Sequence, residues 1–302
     1  MRILLTGASG QVGGALLPLL RDRHSVISPA SGEFDLSQPQ TLPERLDAIK
    51  PDLIINPAAY TAVDRAEDDA ARAFLINAEA PAALARWAAG QGVPIVHFST
   101  DYVFDGSGSR AWREDDVTGP LSVYGHSKLA GERAVRDAGG VHLVVRTAWV
   151  YAAQGANFMR TMIRLAGERP SLRVVSDQFG TPTTAHSIAS TLVDILDQGE
   201  ADLEGVFARA RGLVHLTNSG STSWHGFASA ILRGLQLRGV SLKATEVVPI
   251  ASKDYPTRAA RPANSRLDLV RLKDAYGIEP SAWDIALNDE LDAFLALESS
   301  GA

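Results

Sequence analysis

The chain has 302 residues and a formal net charge of −6, with no lysine/arginine block, which argues against a nucleic-acid binder. It contains no cysteine, which excludes disulfides and thiol chemistry and fits a reducing compartment. No apolar run approaches a membrane span; the chain opens directly on a strand with no signal peptide before it, so a cytoplasmic protein is expected.

Residues 2–6 form a short apolar run stopped by Gly7, the pattern of a buried parallel strand. Gly7, Gly10 and Gly13 follow, with Gln11 and Val12 between them, and open a helix through residue 20. Glycines at a first strand-to-helix junction let a pyrophosphate approach backbone N–H groups. The spacing is G-x-x-G-x-x-G, and the plain alternative is a structural turn. A second strand at 24–28 ends in Ser28-Pro29-Ala30, without the acidic residue that marks NAD sites. The nearest acid is Asp35. Nothing there repels a 2′-phosphate, so NADPH is expected, with NADH possible.

A helix at 42–49, a third strand at 53–56 stopped by Pro57, and an Ala-rich helix over roughly 66–91 come next, the last with a break near Asp68 or Pro81. Strands at 94–99 and 141–147 flank a helix carrying Tyr124 and Lys128. Strands alternating with helices predict a Rossmann-type doubly wound parallel sheet. Right-handed crossovers place Thr6-Gly7, Pro57-Ala58, Ser99-Thr100 and Thr147-Ala148-Trp149 at one rim, where ligands bind. Beyond Trp149 the elements shorten: helices at 157–168, 187–196, 223–237, 267–276 and 283–297, and strands at 172–176, 213–217 and 245–249. These predict a smaller C-terminal α/β lobe. The expected division is 1–150 for the dinucleotide-binding domain, with a return segment near 172–198, and 151–302 mainly for the substrate lobe.

The chemistry is concentrated in Ser99-Thr100-Asp101 and Tyr124-Gly125-His126-Ser127-Lys128. Positions i and i+4 share a helix face, so the Lys128 ammonium is expected to reach the Tyr124 phenol and lower its pKa. The Thr100 hydroxyl can bind a substrate carbonyl, Tyr124 can protonate its oxygen, and Lys128 can serve the phenol and the nicotinamide ribose. Singly, each has a bland reading: a turn-capping hydroxyl and an exposed helical pair. Together, in this order after a phosphate loop, they point to a reductase.

At this point the chain resembles the extended short-chain dehydrogenase/reductases, and within them the reductases of dTDP-linked 4-keto-6-deoxy sugars. The resemblance rests on the glycine loop, Asn56-Pro57-Ala58-Ala59-Tyr60-Thr61-Ala62-Val63-Asp64, the stretch from Ser99 to Gly106, Tyr124 to Glu132, and Arg146 to Tyr151. Asp177 to Thr183 and Arg261 to Leu267 extend it into the second lobe. It implies reduction of the 4-keto group of dTDP-4-dehydro-β-L-rhamnose by NAD(P)H, the last step of dTDP-rhamnose synthesis. By position it makes Thr100, Tyr124 and Lys128 catalytic. It assigns the cofactor to Gly7, Gly10, Gln11, Val12 and Gly13, to Asp35-Leu36 beside the adenine, and to Ala58, Ala59, Tyr60 and Thr61 on the nicotinamide side. Asp101, Trp149 and Gln178 would meet the substrate. Arg258 and Arg261 offer guanidinium forks for its diphosphate.

The usual Asn-Ala-Ala of these reductases is Asn56-Pro57-Ala58 here. Some members hold Mg²⁺ through glutamates at a dimer interface; the matching positions are Ala15 and His186, so no metal site is expected and the chain is a monomer or a homodimer. Dehydratases of the superfamily carry Thr-Asp-Glu where this chain has Thr100-Asp101-Tyr102, which disfavours elimination. Epimerases share the triad and stay open, as does a regulatory subunit that binds nucleotide without turnover. Among the histidines, His97 is expected to pack within its strand and His126 to face solvent. Residues 67–69 read as a solvated helix start. Trp112 and Trp224 read as core or as sugar-pocket residues.

Overall fold

The computed structural model describes residues 1–300. In chain order the first half comprises β1 (Arg2–Leu5), α1 (Gln11–Arg21), β2 (Ser25–Ile27), α2 (Leu42–Ile49), β3 (Leu53–Asn56), α3 (Val63–Ala66), α4 (Ala70–Phe74), α5 (Ala80–Gln91), β4 (Ile95–Thr100), α6 (Val123–Asp137) and β5 (His142–Thr147). Next come β6 (Val150–Tyr151), α7 (Phe158–Glu168), β7 (Ser171–Val175), β8 (Phe179–Gly180), β9 (Thr183–Thr184), α8 (Ala185–Asp197), α9 (Leu203–Arg209) and β10 (Leu213–His215). The chain closes with β11 (Thr222–Ser223), α10 (Trp224–Leu237), β12 (Glu246–Ile250), α11 (Val270–Tyr276) and α12 (Trp283–Ser300).

Six strands form one parallel sheet in the order β10-β5-β4-β3-β1-β2. Side chains alternate across it. Ile3, Leu5, Val96, Phe98 and Val145 pack with Leu16 and Leu20 of α1 and with Ile188, Leu192 and Ile195 of α8. Leu4, Ile54, Ile95 and Val144 pack on the other face with Leu46, Leu84, Ala88 and Val135, from α2, α5 and α6. Apolar residues on both faces of each strand give the near-continuous runs seen in the sequence. The order of strands reverses between β1 and β3, the switch point at whose strand carboxyl ends doubly wound sheets bind their ligands.

The second lobe has its own core, in which Tyr151, Met159, Leu172, Val174, Phe227, Ile231, Leu235 and Leu291 come together. Here the structure moves a boundary. Residues 171–175 do not return to the main sheet: β7 pairs in parallel with β12 in the second lobe. The return is made by α8, α9 and β10, with Leu272 and Tyr276 of α11 joining the same core. The sequence pattern could not separate these, because a short apolar strand reads alike in either sheet. The Ala-rich helix is also interrupted, at residues 67–69, and then passes through a π-helical turn, Leu75–Glu79. Pro81 does not end it: the π-helical turn runs straight into α5, with this proline in the first turn of α5.

Candidate active site

The phosphate loop is shaped by close backbone contacts. Gly7 has φ +61°, and a side chain there would press on Ala58. A Cβ at Gly13 would collide with the Gly7 carbonyl oxygen. Gly10 caps α1 and no side chain takes up the first-turn N–H groups. Uncapped donors at a helix start, in a cradle any Cβ would fill, fit a dinucleotide pyrophosphate. Gln11 points elsewhere with its amide, Nε2 donating to the Ala156 carbonyl at 3.0 Å. Asp35 accepts from the Ser37 hydroxyl and backbone N–H and from Gln38, and those bonds hold its carboxyl below the usual range. Leu36 is buried in the core next to it.

The catalytic candidates come from two neighbouring elements. Thr100 ends β4, in register with Thr147 of β5. Its hydroxyl accepts from Tyr102 N at 3.2 Å and donates to Asp101 Oδ1 at 3.0 Å. Thr100 therefore does cap the turn Asp101–Val103, and it also faces the Tyr124 phenol. The helix carrying Tyr124 begins on Ser122, whose hydroxyl accepts from Gly125 N. A Cβ at Gly125 would strike the Tyr102 carbonyl oxygen, so glycine is what lets α6 lie against that turn. Tyr124 and Tyr102 meet edge to face at 5.5 Å.

The expected pairing of Lys128 with Tyr124 is corrected. Lys128 is buried and its Nζ donates to the Phe98 carbonyl at 2.6 Å. Burial pushes the Tyr124 phenol well above its ordinary value; Thr100 offsets part of this, while Asp101 and Tyr102 add to it. Burial also lowers the Lys128 ammonium to about 8, against the pull of the Glu132 carboxylate. The shared helix face was legible, but the strand carbonyl that captures the ammonium was not. Asp101 is 2 % exposed, and burial raises its carboxyl to about 6 despite hydrogen bonds from Ser265 and Thr100.

Two buried polar arrangements had no signal in the sequence. Asn77, brought inward by the π-helical turn, accepts from Tyr60 N at 2.8 Å and donates to the Tyr60 carbonyl and the Ser127 hydroxyl. It therefore ties the loop of Ala58, Ala59, Tyr60 and Thr61 to the helix of Tyr124. Glu132 forms a two-pronged pair with Arg146 at 2.7 and 2.8 Å, both residues buried. His97 is buried, bonded to Asn56, and burial keeps it neutral; His126 is exposed.

On the second lobe's side, Trp149 has φ +49° and its indole stacks on Trp224 at 3.5 Å. Trp112 belongs to the core: it stacks on Phe104 and donates to the Asn264 carbonyl. Gln178 donates to Ser252 at 2.9 Å. Arg261 pairs with Asp64 at 2.6 Å, and Arg258 pairs with Asp68. Residues 67–69 are thus not simply solvated, since Asp68 is joined to the second lobe and Glu67 accepts from Val123 N. Among the described residues no group of three or more His, Asp or Glu side chains could hold a metal ion, and no helix is long and apolar enough to cross a membrane.

Residues 1–296 match the model of the RmlD substrate binding domain family. A dTDP-4-dehydrorhamnose reductase of Burkholderia thailandensis is 46% identical over 289 residues, covering 95% of this chain and 97% of that protein. The crystal structure of a dTDP-4-dehydrorhamnose reductase from Clostridium acetobutylicum superposes with a TM-score of 0.89 at 34% identity, over 98% of this chain and 100% of that one. That of the Bacillus anthracis enzyme, in complex with NADP, gives 0.86 at 30% identity, over 97% and 99%. On this match of model, sequence and fold along nearly its whole length, the chain belongs to the RmlD family, that of the dTDP-4-dehydrorhamnose reductases.

Proposed function

We propose that the chain reduces the C4 ketone of dTDP-4-dehydro-β-L-rhamnose with NADPH, and with NADH as a possible second donor, giving dTDP-β-L-rhamnose. The observation that carries this reading is that Thr100, at the end of β4, faces Tyr124 while Lys128 of the same helix is anchored on β4, in the parallel sheet whose β1 ends in the cradle of Gly7, Gly10 and Gly13. The cofactor would lie along that cradle, with Gln11 and Val12 at the pyrophosphate, Asp35 and Leu36 by the adenine, and Ala58, Ala59, Tyr60 and Thr61 by the nicotinamide. When bound, it supplies a hydride to the carbonyl carbon.

The protein's part is to bind, orient and deliver a proton. The Thr100 hydroxyl orients the ketone oxygen. Tyr124, kept protonated by burial, gives its proton to that oxygen as it becomes an alkoxide, a stronger base than phenolate. Lys128, on α6 with its ammonium anchored to the Phe98 carbonyl of β4, would hold the ribose. Asp101, Trp149 and Gln178 contact the sugar nucleotide. Arg261, and Arg258 nearer the surface, meet its diphosphate, exchanging Asp64 and Asp68 for phosphate oxygens. NADPH as the first choice is supported by a β2 end without an acid and by the NADP in the Bacillus anthracis relative.

The test is product analysis with dTDP-4-dehydro-β-L-rhamnose and each reduced cofactor in parallel. Consumption of NADPH matched by dTDP-β-L-rhamnose is expected. No consumption with any dTDP-4-keto-6-deoxy sugar would leave the regulatory reading; formation of the C4 epimer would make it a reductase of a neighbouring deoxysugar.

A further inference from the structure

Trp149 is the one residue of the rim with a side chain in the left-handed region, at φ +49°. For a bulky residue that conformation is unfavourable and persists only where surroundings fix it. Three contacts do so. Trp149 O accepts from Thr183 N at 3.1 Å, and β6, which follows it, pairs with β9. Gly180 lies flat against the indole, so that a Cβ there would sit 2.5 Å from Trp149 Cε2. The opposite support is Trp224, stacked at 3.5 Å with an interplanar angle of 9°.

Trp224 is itself held. It is the first residue of α10, whose cap Ser223 accepts from Gly226 N at 3.0 Å and pairs antiparallel with Phe179 in β8. Its far side meets Phe158 at 4.6 Å. The β8–β11 pair therefore sets Gly180 and Trp224 on the same indole from two directions. Large aromatic rings in face contact bury much of each other's surface, and two fixed partners leave the Trp149 ring little freedom.

We infer that Trp224 is a positioning residue for the reaction: with Gly180 it locks the Trp149 indole as a rigid wall that sets the tilt of the sugar ring. The inference rests on the proposed reading of Trp149 as a sugar contact. Trp224 need not touch substrate. Its effect is transmitted through Trp149 to the angle at which the C4 carbonyl lies relative to Tyr124.

The test uses the full chain carrying Trp224→Ala and Trp224→Phe. Face-to-face indoles couple their transitions, so the wild type should show a tryptophan couplet in circular dichroism that both variants lose. With the keto-sugar substrate, Trp224→Ala should lower kcat/KM by about tenfold to hundredfold, the scale of a misplacement near one ångström. Trp224→Phe, which keeps an aromatic face, should recover most of that. NADPH affinity, read by cofactor fluorescence, and inhibition by dTDP alone should stay within about twofold in both variants, since neither ligand depends on the sugar's tilt. An unchanged kcat/KM in Trp224→Ala, or an equal loss of NADPH and dTDP binding, would overturn the inference while leaving the reductase reading intact. A wild type that keeps the couplet yet reduces no keto-sugar would overturn the reading and, with it, the inference.

Discussion

At the residue scale, the informative contrast lies between two neighbours on one helix face. Tyr124 is pushed upward and stays a neutral phenol; Lys128 is lowered to about 8 and stays close to losing its proton. For ketone reduction the phenol is the right form, because it must arrive with a proton to give. Tyr124→Phe should then lower kcat by about 10²- to 10⁴-fold, the range of general acid catalysis. The Lys128 ammonium is present below pH 8 and lost above it. NADPH affinity, measured by fluorescence titration, is therefore expected to weaken as pH rises through about 8 and to be weak and nearly pH-independent over that window in Lys128→Met. A wild-type affinity that is flat from pH 7 to 9 would remove the ribose role. Much of this was visible in the order of Thr100, Tyr124 and Lys128. The direction of the Tyr124 shift was not, since it depends on burial and on where the ammonium is anchored.

At the scale of elements, α6 is positioned by absences and by a buried ion pair. Gly125 and Gly131 let it press on the Tyr102 and Asn77 carbonyls. Gly125→Ala should drive the helix away from the turn after Thr100, destabilising the fold by about 1–3 kcal/mol as overpacking does and lowering kcat, which a thermal melt and a rate assay would read. Further along, Glu132 and Arg146 form their fork out of water. Removing one partner leaves a buried charge, so Glu132→Gln should cost about 3–5 kcal/mol. The pair Glu132→Leu with Arg146→Met should recover a good part of that in a denaturant titration; no recovery would mean that the fork matters for more than charge balance. Strand and helix positions were legible because the unbroken apolar run Ile3-Leu4-Leu5 and the glycine punctuation are local. The π-helical turn and the Asn77 bridge were not, because they are set by what α6 needs from a segment some fifty residues away.

At the scale of the whole molecule, two cores share one rim. The sheet supplies the phosphate cradle and the proton donor; the second lobe supplies Trp149's support and the strap that carries Arg258 and Arg261. That strap is tied back by Asp64 and Asp68, and Gln11 reaches across to Ala156. The Arg258–Asp68 pair is exposed and contributes little to stability, whereas Arg261 is half-buried against Asp64, so Arg261→Met should lower the melting temperature modestly. It should raise KM for the sugar nucleotide while leaving NADPH affinity unchanged; an unchanged KM would remove Arg261 from the substrate's path. The chain's outline as sheet plus lobe followed from its alternation of strands and helices. Which segments return to the sheet did not, since β7 and β10 are both brief apolar runs and only their packing partners distinguish them. The central claim concerns Tyr124, and the most direct measurement is single-turnover reduction of dTDP-4-dehydro-β-L-rhamnose by wild type and Tyr124→Phe, with NADPH affinity taken on the same samples. In Tyr124→Phe the chemical rate should fall by at least about 10²-fold with cofactor affinity retained. A variant that turns over at the wild-type rate, or that loses rate and affinity in equal measure, would contradict that claim.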